Sequence, residues 1–328
     1  MKNLLLIHTG GTLSMETKES GGLVAKELVN TIDEAIPEIN NIANISHKQL
    51  FFIDSSHINI DHIQKIAQTL YEERENYDGF VITHGTDTMA YTASALSFML
   101  RNFKKTIVLT GAQRPLHKSR TDAKINLIDA VTIAVRSNYD EIAIVFDSTV
   151  FRGVRTSKHK INQYDAFRSF NMSAIGCLGV DIEYYKNAKY IKNNKKEFKY
   201  YPKLNNNIFV FKIFPGMEFS SFDFIKKPDA IILEAFGAGN LEVSENLLRY
   251  ITKYSETPII IYSQANIGKV NLNLYEAGMI LKGLGAIGSG NMTFEALIFK
   301  VMHLLSYSSN KKTILRNITK NLVGELDN

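Results

Sequence analysis

The chain of 328 residues holds a single cysteine, Cys177, so no disulfide can close within it, and a reducing compartment fits that usage. Long apolar runs are also missing. The longest are about five residues, such as Ile142–Phe146, against the roughly 20 needed to span a bilayer. Only four apolar residues separate Met1-Lys2-Asn3 from His8, too few for a signal-peptide core, and no small-residue cleavage site follows; a cytoplasmic protein is expected. The eight histidines show no HExxH or related spacing, and with one cysteine no zinc site is plausible. No G-x-x-x-x-G-K-[ST] phosphate loop occurs. The net charge of +5 is too small to point to nucleic acid by itself. No internal repeat and no strong low-complexity tract is present. Membrane, nucleic acid, metal and cofactor are therefore not expected partners.

What is present is an ordinary globular composition, 45% apolar and 22% charged, which excludes wholesale disorder, collagen and a coiled coil. At about 150 residues per domain the length suggests roughly two domains. Short β-branched runs read as buried strands at Leu4–Ile7, Gln49–Ile53, Gly79–Thr83, Lys105–Thr110 and Glu141–Phe146. Helical spacing lies between them at Ile60–Glu75, Thr88–Arg101 and Asp122–Arg136. This alternation predicts an α/β fold with a mainly parallel sheet flanked by helices, and a site beyond the carboxyl ends of the strands. The pattern lapses after about Asp181. Lys186–Lys203 carries seven lysines and one acid, Glu197, and reads as a solvated connector. Strands are then expected at Ile208–Phe214, Ala230–Glu234 and Pro258–Tyr262, with helices at Val243–Tyr254, Thr293–Ser306 and Lys311–Lys320. The expected organisation is a larger N-terminal domain over 1–185, a connector over 186–207 and a smaller C-terminal α/β domain over 208–328.

Three strand ends carry hydroxyls or acids. Thr9-Gly10-Gly11-Thr12 leaves the first strand; two glycines there allow a tight turn and close approach of a ligand, and a threonine can be a nucleophile if a base activates it. A plain turn with a capping threonine is the bland alternative. Ser55-Ser56 follows the second strand and offers donors for a carboxylate. His84-Gly85-Thr86-Asp87-Thr88 follows the third and opens a helix, where Asp or Thr could simply be a cap; an uncapped Asp87 would instead hold an ammonium. Lys158, in Arg155-Thr156-Ser157-Lys158, is a surface lysine unless it reaches Thr86, in which case a lysine held beside a hydroxyl away from water can act as a base. Gly283–Gly288 matches G-x-G-x-x-G, but no acid lies between Glu295 and Glu325 to bind a ribose, so it reads as a tight loop.

Taken together these motifs resemble the bacterial type I (cytoplasmic) L-asparaginases. Thr9-Gly10-Gly11-Thr12 resembles the family's first signature and Tyr77–Leu100, YDGFVITHGTDTMAYTASALSFML, its second. The likeness continues through Thr110–Pro115, Ile125–Leu127, Arg152–Gly153, Arg155–Lys158 and Asp165–Phe167, then Gly237–Asn240, Gly268–Asn271 and Asn321–Leu326, and so spans the chain. It implies hydrolysis of L-asparagine to L-aspartate and ammonia, without a cofactor, through attack by Thr12 and a β-aspartyl ester. It implies that Thr86 and Lys158 form a proton relay, that Asp87 binds the α-ammonium, and that Ser55 and Ser56 bind the α-carboxylate. The Ala112 carbonyl would meet the substrate amide, and Asn240 would reach a neighbouring subunit's site in a homodimer or homotetramer. Two positions depart from the family. Gly22 stands where a loop tyrosine helps activate the nucleophile, and no tyrosine occurs between Thr12 and Tyr71; His57 stands where relatives often carry an acid. A related amidohydrolase acting on L-glutamine, a catalytically impaired amino-acid-binding relative, and a nucleotide-dependent oxidoreductase resting on 283–288 alone are the rival readings.

Overall fold

Residues buried on both faces of a parallel sheet read as unbroken apolar runs, and Gly79–Thr83, Thr106–Thr110 and Ile142–Phe146 are buried at every position. In the computed structural model they are the centre of an eight-stranded sheet. Its order is Ile182–Tyr184, Gly176–Leu178, Thr149–Arg152, Ile142–Phe146, Thr106–Thr110, Gly79–Thr83, Asn3–Gly10, Asn44–Ile53. The last five strands run parallel, and the first three extend the sheet antiparallel. The structure describes residues 1–17, 23–25, 29–136, 139–185, 196–219, 222 and 224–327. They divide into two compact units, Met1–Pro202 and Lys203–Asn328.

In the first unit the helices Ile60–Glu73, Met89–Met99 and Ala123–Arg136 lie close to where their spacing predicts them. The helix Met89–Met99 is buried nearly all round by small and apolar residues. A helix over Val29–Ala35 and the strands beyond Phe146 were not foreseen. The turn into Thr149–Arg152 is made by Asp147 and Ser148, both at positive φ (49° and 52°), the geometry of a two-residue hairpin. Non-glycine residues hold it because the Asp147 N–H donates to Asn126 Oδ1 and Ser148 Oγ donates to Asp129 Oδ2. Lys199–Tyr200 pairs with Leu100–Arg101, and Tyr200 stacks on Tyr71 at 4.4 Å, so this part of the lysine-rich stretch is a strand of the first unit. Residues 186–195 lie outside the described residues.

The second unit is a four-stranded parallel sheet in the order Ile208–Lys212, Ala230–Ala235, Ile259–Ser263, Ile287–Gly288. Its core joins Leu233, Ile261 and Leu281 to rings from Phe211, Phe219 and Tyr250. The helices Glu245–Lys253, Phe294–Tyr307 and Lys311–Ile318 follow expectation. Glu276–Gly283, which carries two glycines, is a helix that the sequence pattern did not suggest. Among the described residues no helix is long and apolar enough to cross a membrane.

Candidate active site

Strand order brings four loops together. Gly79–Thr83, Asn3–Gly10 and Asn44–Ile53 are neighbours, so the loops leaving their carboxyl ends meet, with Gly111-Ala112-Gln113 beside them after Thr106–Thr110. Glycine lets them close. Gly11 has φ +83°, and a Cβ there would lie 2.4 Å from Gly85 N. A Cβ on Gly85 would lie 2.6 Å from Ser55 Oγ. The first, third and second strand ends are thus stacked with no room for a methyl group between them. The Gly11 N–H donates to the Ile53 carbonyl at 3.1 Å, and Thr9 Oγ1 donates to the Thr83 carbonyl at 2.8 Å. Thr12 opens a short 3₁₀ turn and is half-buried.

The second polar group is assembled from residues far apart in sequence. Ser157–Lys158 pairs with Phe167–Arg168, and this ribbon returns Lys158 to the sheet end. Lys158 Nζ donates to Thr86 Oγ1 at 2.7 Å and to Asp87 Oδ1 at 2.6 Å. The lysine side chain is 17% exposed and the Asp87 side chain 64%. Asp87 is therefore no helix cap, and Thr88, the N-cap residue, caps nothing with its side chain but donates to the Ser55 carbonyl at 2.8 Å. Ser55 is buried; Ser56 is exposed, with its N–H on Asp54 Oδ1. The ion pair is a ready acceptor–donor set: a carboxylate open to solvent for an incoming cation, and a hydroxyl in contact with an amine.

Neutral histidines support this end of the sheet. His84 is fully buried; its Nδ1 donates to the Gly85 carbonyl at 2.7 Å and its Nε2 meets Thr92 Oγ1 at 2.9 Å. Burial pulls its pKa down to about 4. His8 lies between Thr83 Oγ1 (3.2 Å) and His47 Nδ1 (2.9 Å), and His47 Nε2 reaches Asp33 Oδ1 at 3.2 Å. Burial, and then the neighbouring His47, lower its pKa to about 3. A positive charge is thus kept off both rings.

Comparison with known proteins identifies the family. Residues 3–190 match the family profile described as Asparaginase, N-terminal, and residues 207–317 the Glutaminase/Asparaginase C-terminal domain. The chain belongs to the asparaginase family. It is 34% identical to L-asparaginase 1 of Escherichia coli K12, over 99% of this chain and 98% of that one. It is 32% identical to the L-asparaginase of Thermococcus kodakarensis, over 98% of each chain. The crystal structure of L-asparaginase I from Vibrio cholerae O1 biovar eltor superposes with a TM-score of 0.89 at 30% identity, covering 99% of each chain.

Of the residues expected at an asparaginase site, the first unit brings the loops of Thr12, Ser55, Ser56, Thr86, Asp87 and Ala112 to one sheet end and places Lys158 on two of them. Ala112 is fully buried. Asn240 lies in the second unit, in a tight turn where it bridges to Phe236. His57 is exposed beside Asp54. Gly22 lies outside the described residues. The 283–288 run is not a dinucleotide loop: Gly283 ends a helix and Gly288 ends a short strand, the reverse of the strand-to-helix order that motif requires. One contact was missed by sequence reading. Gln113 Oε1 lies 3.2 Å from Thr86 Oγ1. The only sequence signal was its place next to Ala112 in the quoted Thr110–Pro115 motif.

Proposed function

We propose that this protein is a cytoplasmic L-asparaginase: it hydrolyses L-asparagine to L-aspartate and ammonia with Thr12 as nucleophile and no cofactor. The observation that carries the reading is Lys158 Nζ held at 2.7 Å from Thr86 and 2.6 Å from Asp87. Binding of an α-amino acid brings its ammonium to Asp87 and its carboxylate to Ser55 and Ser56. A second cation at Asp87 repels the Lys158 ammonium and favours the neutral amine. Thr12 Oγ then attacks the carboxamide carbon, and its proton passes through Thr86 to Lys158. The oxyanion is held by backbone N–H groups of the glycine turn, and the Ala112 carbonyl orients the amide. The C–N bond breaks as the nitrogen takes up a proton, and ammonia leaves an ester on Thr12. Water, its proton again taken by Thr86–Lys158, hydrolyses that ester and restores the hydroxyl. With Gly22 in the tyrosine's place, the Thr86–Lys158 pair carries the activation in both halves. Asn240 serves the site of a neighbouring subunit in a homodimer or homotetramer.

The test is ammonia release from L-asparagine by the purified protein, with Thr12→Ala as control. Release that disappears in the variant is expected, and near-normal turnover in Thr12→Ala would overturn the mechanism. L-Glutamine is longer by one methylene, a difference that pockets separate by only about 1–3 kcal/mol. Relative kcat/KM for the two amides decides between them, with asparagine expected to lead.

A further inference from the structure

We propose that Gln113 is a positioning residue that fixes the direction of the Thr86 hydroxyl and so sets the pH at which the Thr86–Lys158 pair becomes active. The inference rests on the asparaginase reading for its kinetic consequence, but its geometric basis is independent of the substrate.

The orientation of the Gln113 amide is not a free choice. Its Nε2 lies 2.8 Å from the Ile161 carbonyl and 3.0 Å from the Gln163 carbonyl, two groups that can only accept. Both amide hydrogens are spent there. The reversed amide would set three acceptor oxygens together, so Oε1 must be the atom that faces Thr86 Oγ1 at 3.2 Å. An amide oxygen can only accept; the Thr86 O–H therefore donates to Gln113. Having one hydrogen, Thr86 must meet Lys158 Nζ with a lone pair. Lys158 is then the donor to both Thr86 and Asp87, which suits an ammonium. The main chain beneath is rigid as well. The Gln113 N–H donates to Asp122 Oδ1 and Oδ2 at 3.1 and 2.9 Å, the Arg114 N–H to Asp122 Oδ1 at 3.0 Å, and Asn126 Nδ2 to Asp122 Oδ2 at 3.1 Å.

This proton arrangement opposes the relay. For Lys158 to act as a base, the Thr86 hydrogen has to turn from Gln113 Oε1 to Nζ. Gln113 thus stabilises the ammonium form, through the hydroxyl that lies between them. The charged groups on the elements around Lys158 stay constant when Gln113 is changed. Asp87 is in direct contact with it, Asp122 holds the Gln113 main chain, and Asp147, His159 and the Lys160–Asp165 pair interact with one another on the neighbouring hairpin and ribbon.

Two variants are expected to move the acidic limb of the kcat profile in opposite directions. Gln113→Met keeps the length but offers no acceptor; the limb moves to lower pH by about half a unit to one unit, the scale of one neutral hydrogen bond. Gln113→Glu keeps the acceptor and adds negative charge, and the limb moves to higher pH. The same two shifts are expected in the titration of the Lys158 side chain, followed by NMR in lysine-labelled protein and assigned with Lys158→Met. That second readout needs no turnover: absence of ammonia release from the wild type would overturn the asparaginase reading, and the NMR shifts would still decide the role of Gln113. An unmoved Lys158 titration in both variants, with changes only in KM or thermal stability, would reduce Gln113 to a tie between loops and overturn the proposal.

Discussion

Two lysine–carboxylate pairs in this chain have the same separation, 2.6 Å, and opposite characters. Lys158–Asp87 stands at the candidate site with its carboxylate largely in water. Lys300–Glu325, in the second unit, is 0% exposed on both sides. The difference lies in what else each group holds. Lys300 Nζ also donates to the Ile318 and Lys320 carbonyls at 2.7 and 2.6 Å. Glu325 also accepts from the Leu322 and Val323 N–H groups. Every donor of the sealed ammonium has an acceptor, and the pair fastens the C-terminal segment to the helix Phe294–Tyr307. Lys158 instead holds one hydroxyl and one carboxylate that an incoming ammonium can take over. Distance alone therefore separates neither strength nor role; the remaining partners and the access of water do.

Mutating the two lysines alike should pull the pairs apart. Lys158→Met is expected to lower turnover on L-asparagine by at least about a hundredfold, within the range for loss of general-base function. It should change stability by no more than about 1 kcal/mol, because Asp87 remains solvated. Lys300→Met should do the reverse. It strands a buried carboxylate, and urea unfolding should show a loss of about 3–5 kcal/mol, with near-normal turnover per folded molecule. The double variant Lys300→Met/Glu325→Gln should recover part of that loss, since the neutral amide removes the stranded charge. Equal stability losses in Lys158→Met and Lys300→Met would erase the distinction, and so would a Lys300→Met enzyme that is fully folded yet inactive.

The same logic explains what could be read from the sequence. Gly79–Thr83 coincides end to end with its expected strand because a strand covered on both faces leaves an unbroken apolar run. The Thr9–Thr12 turn, the His84–Thr88 loop and the serines were legible because glycine, hydroxyl and acid side by side at strand ends are a local signal. The hairpin through Asp147–Ser148 was not, since it forms without glycine and relies on Asn126 and Asp129 to hold positive φ. The helix Glu276–Gly283 was hidden by its two glycines and by apolar residues, Met279 and Ile280, that stay exposed. Gln113 was invisible for another reason. Glutamine carries no reactive chemistry of its own, and its orientation depends on carbonyls 48 and 50 residues away.

Buried histidines extend the comparison from charges that are kept to charges that are expelled. Lys300 has three acceptors around its ammonium, whereas the described partners of the His8 ring are a hydroxyl and a second imidazole. Its pKa falls from 6.5 to about 3, and that of His84 to about 4, mainly through burial. Between pH 6.5 and these values the unfolded chain binds protons that the folded chain refuses. Stability is therefore full above about pH 6.5 and declines as the pH falls, by up to about 1.4 kcal/mol per pH unit for each ring. Asp129, whose carboxyl burial raises above the usual 3.8, works in the opposite direction. Unfolding free energies from urea at pH 7 and pH 5 should thus differ by up to about 2 kcal/mol for each histidine. In His8→Gln, which keeps a polar side chain but cannot titrate, the difference should shrink by the share of one ring. An undiminished slope in that variant would mean that His8 takes up its proton without unfolding, and that the strand Asn3–Gly10 tolerates a buried cation after all.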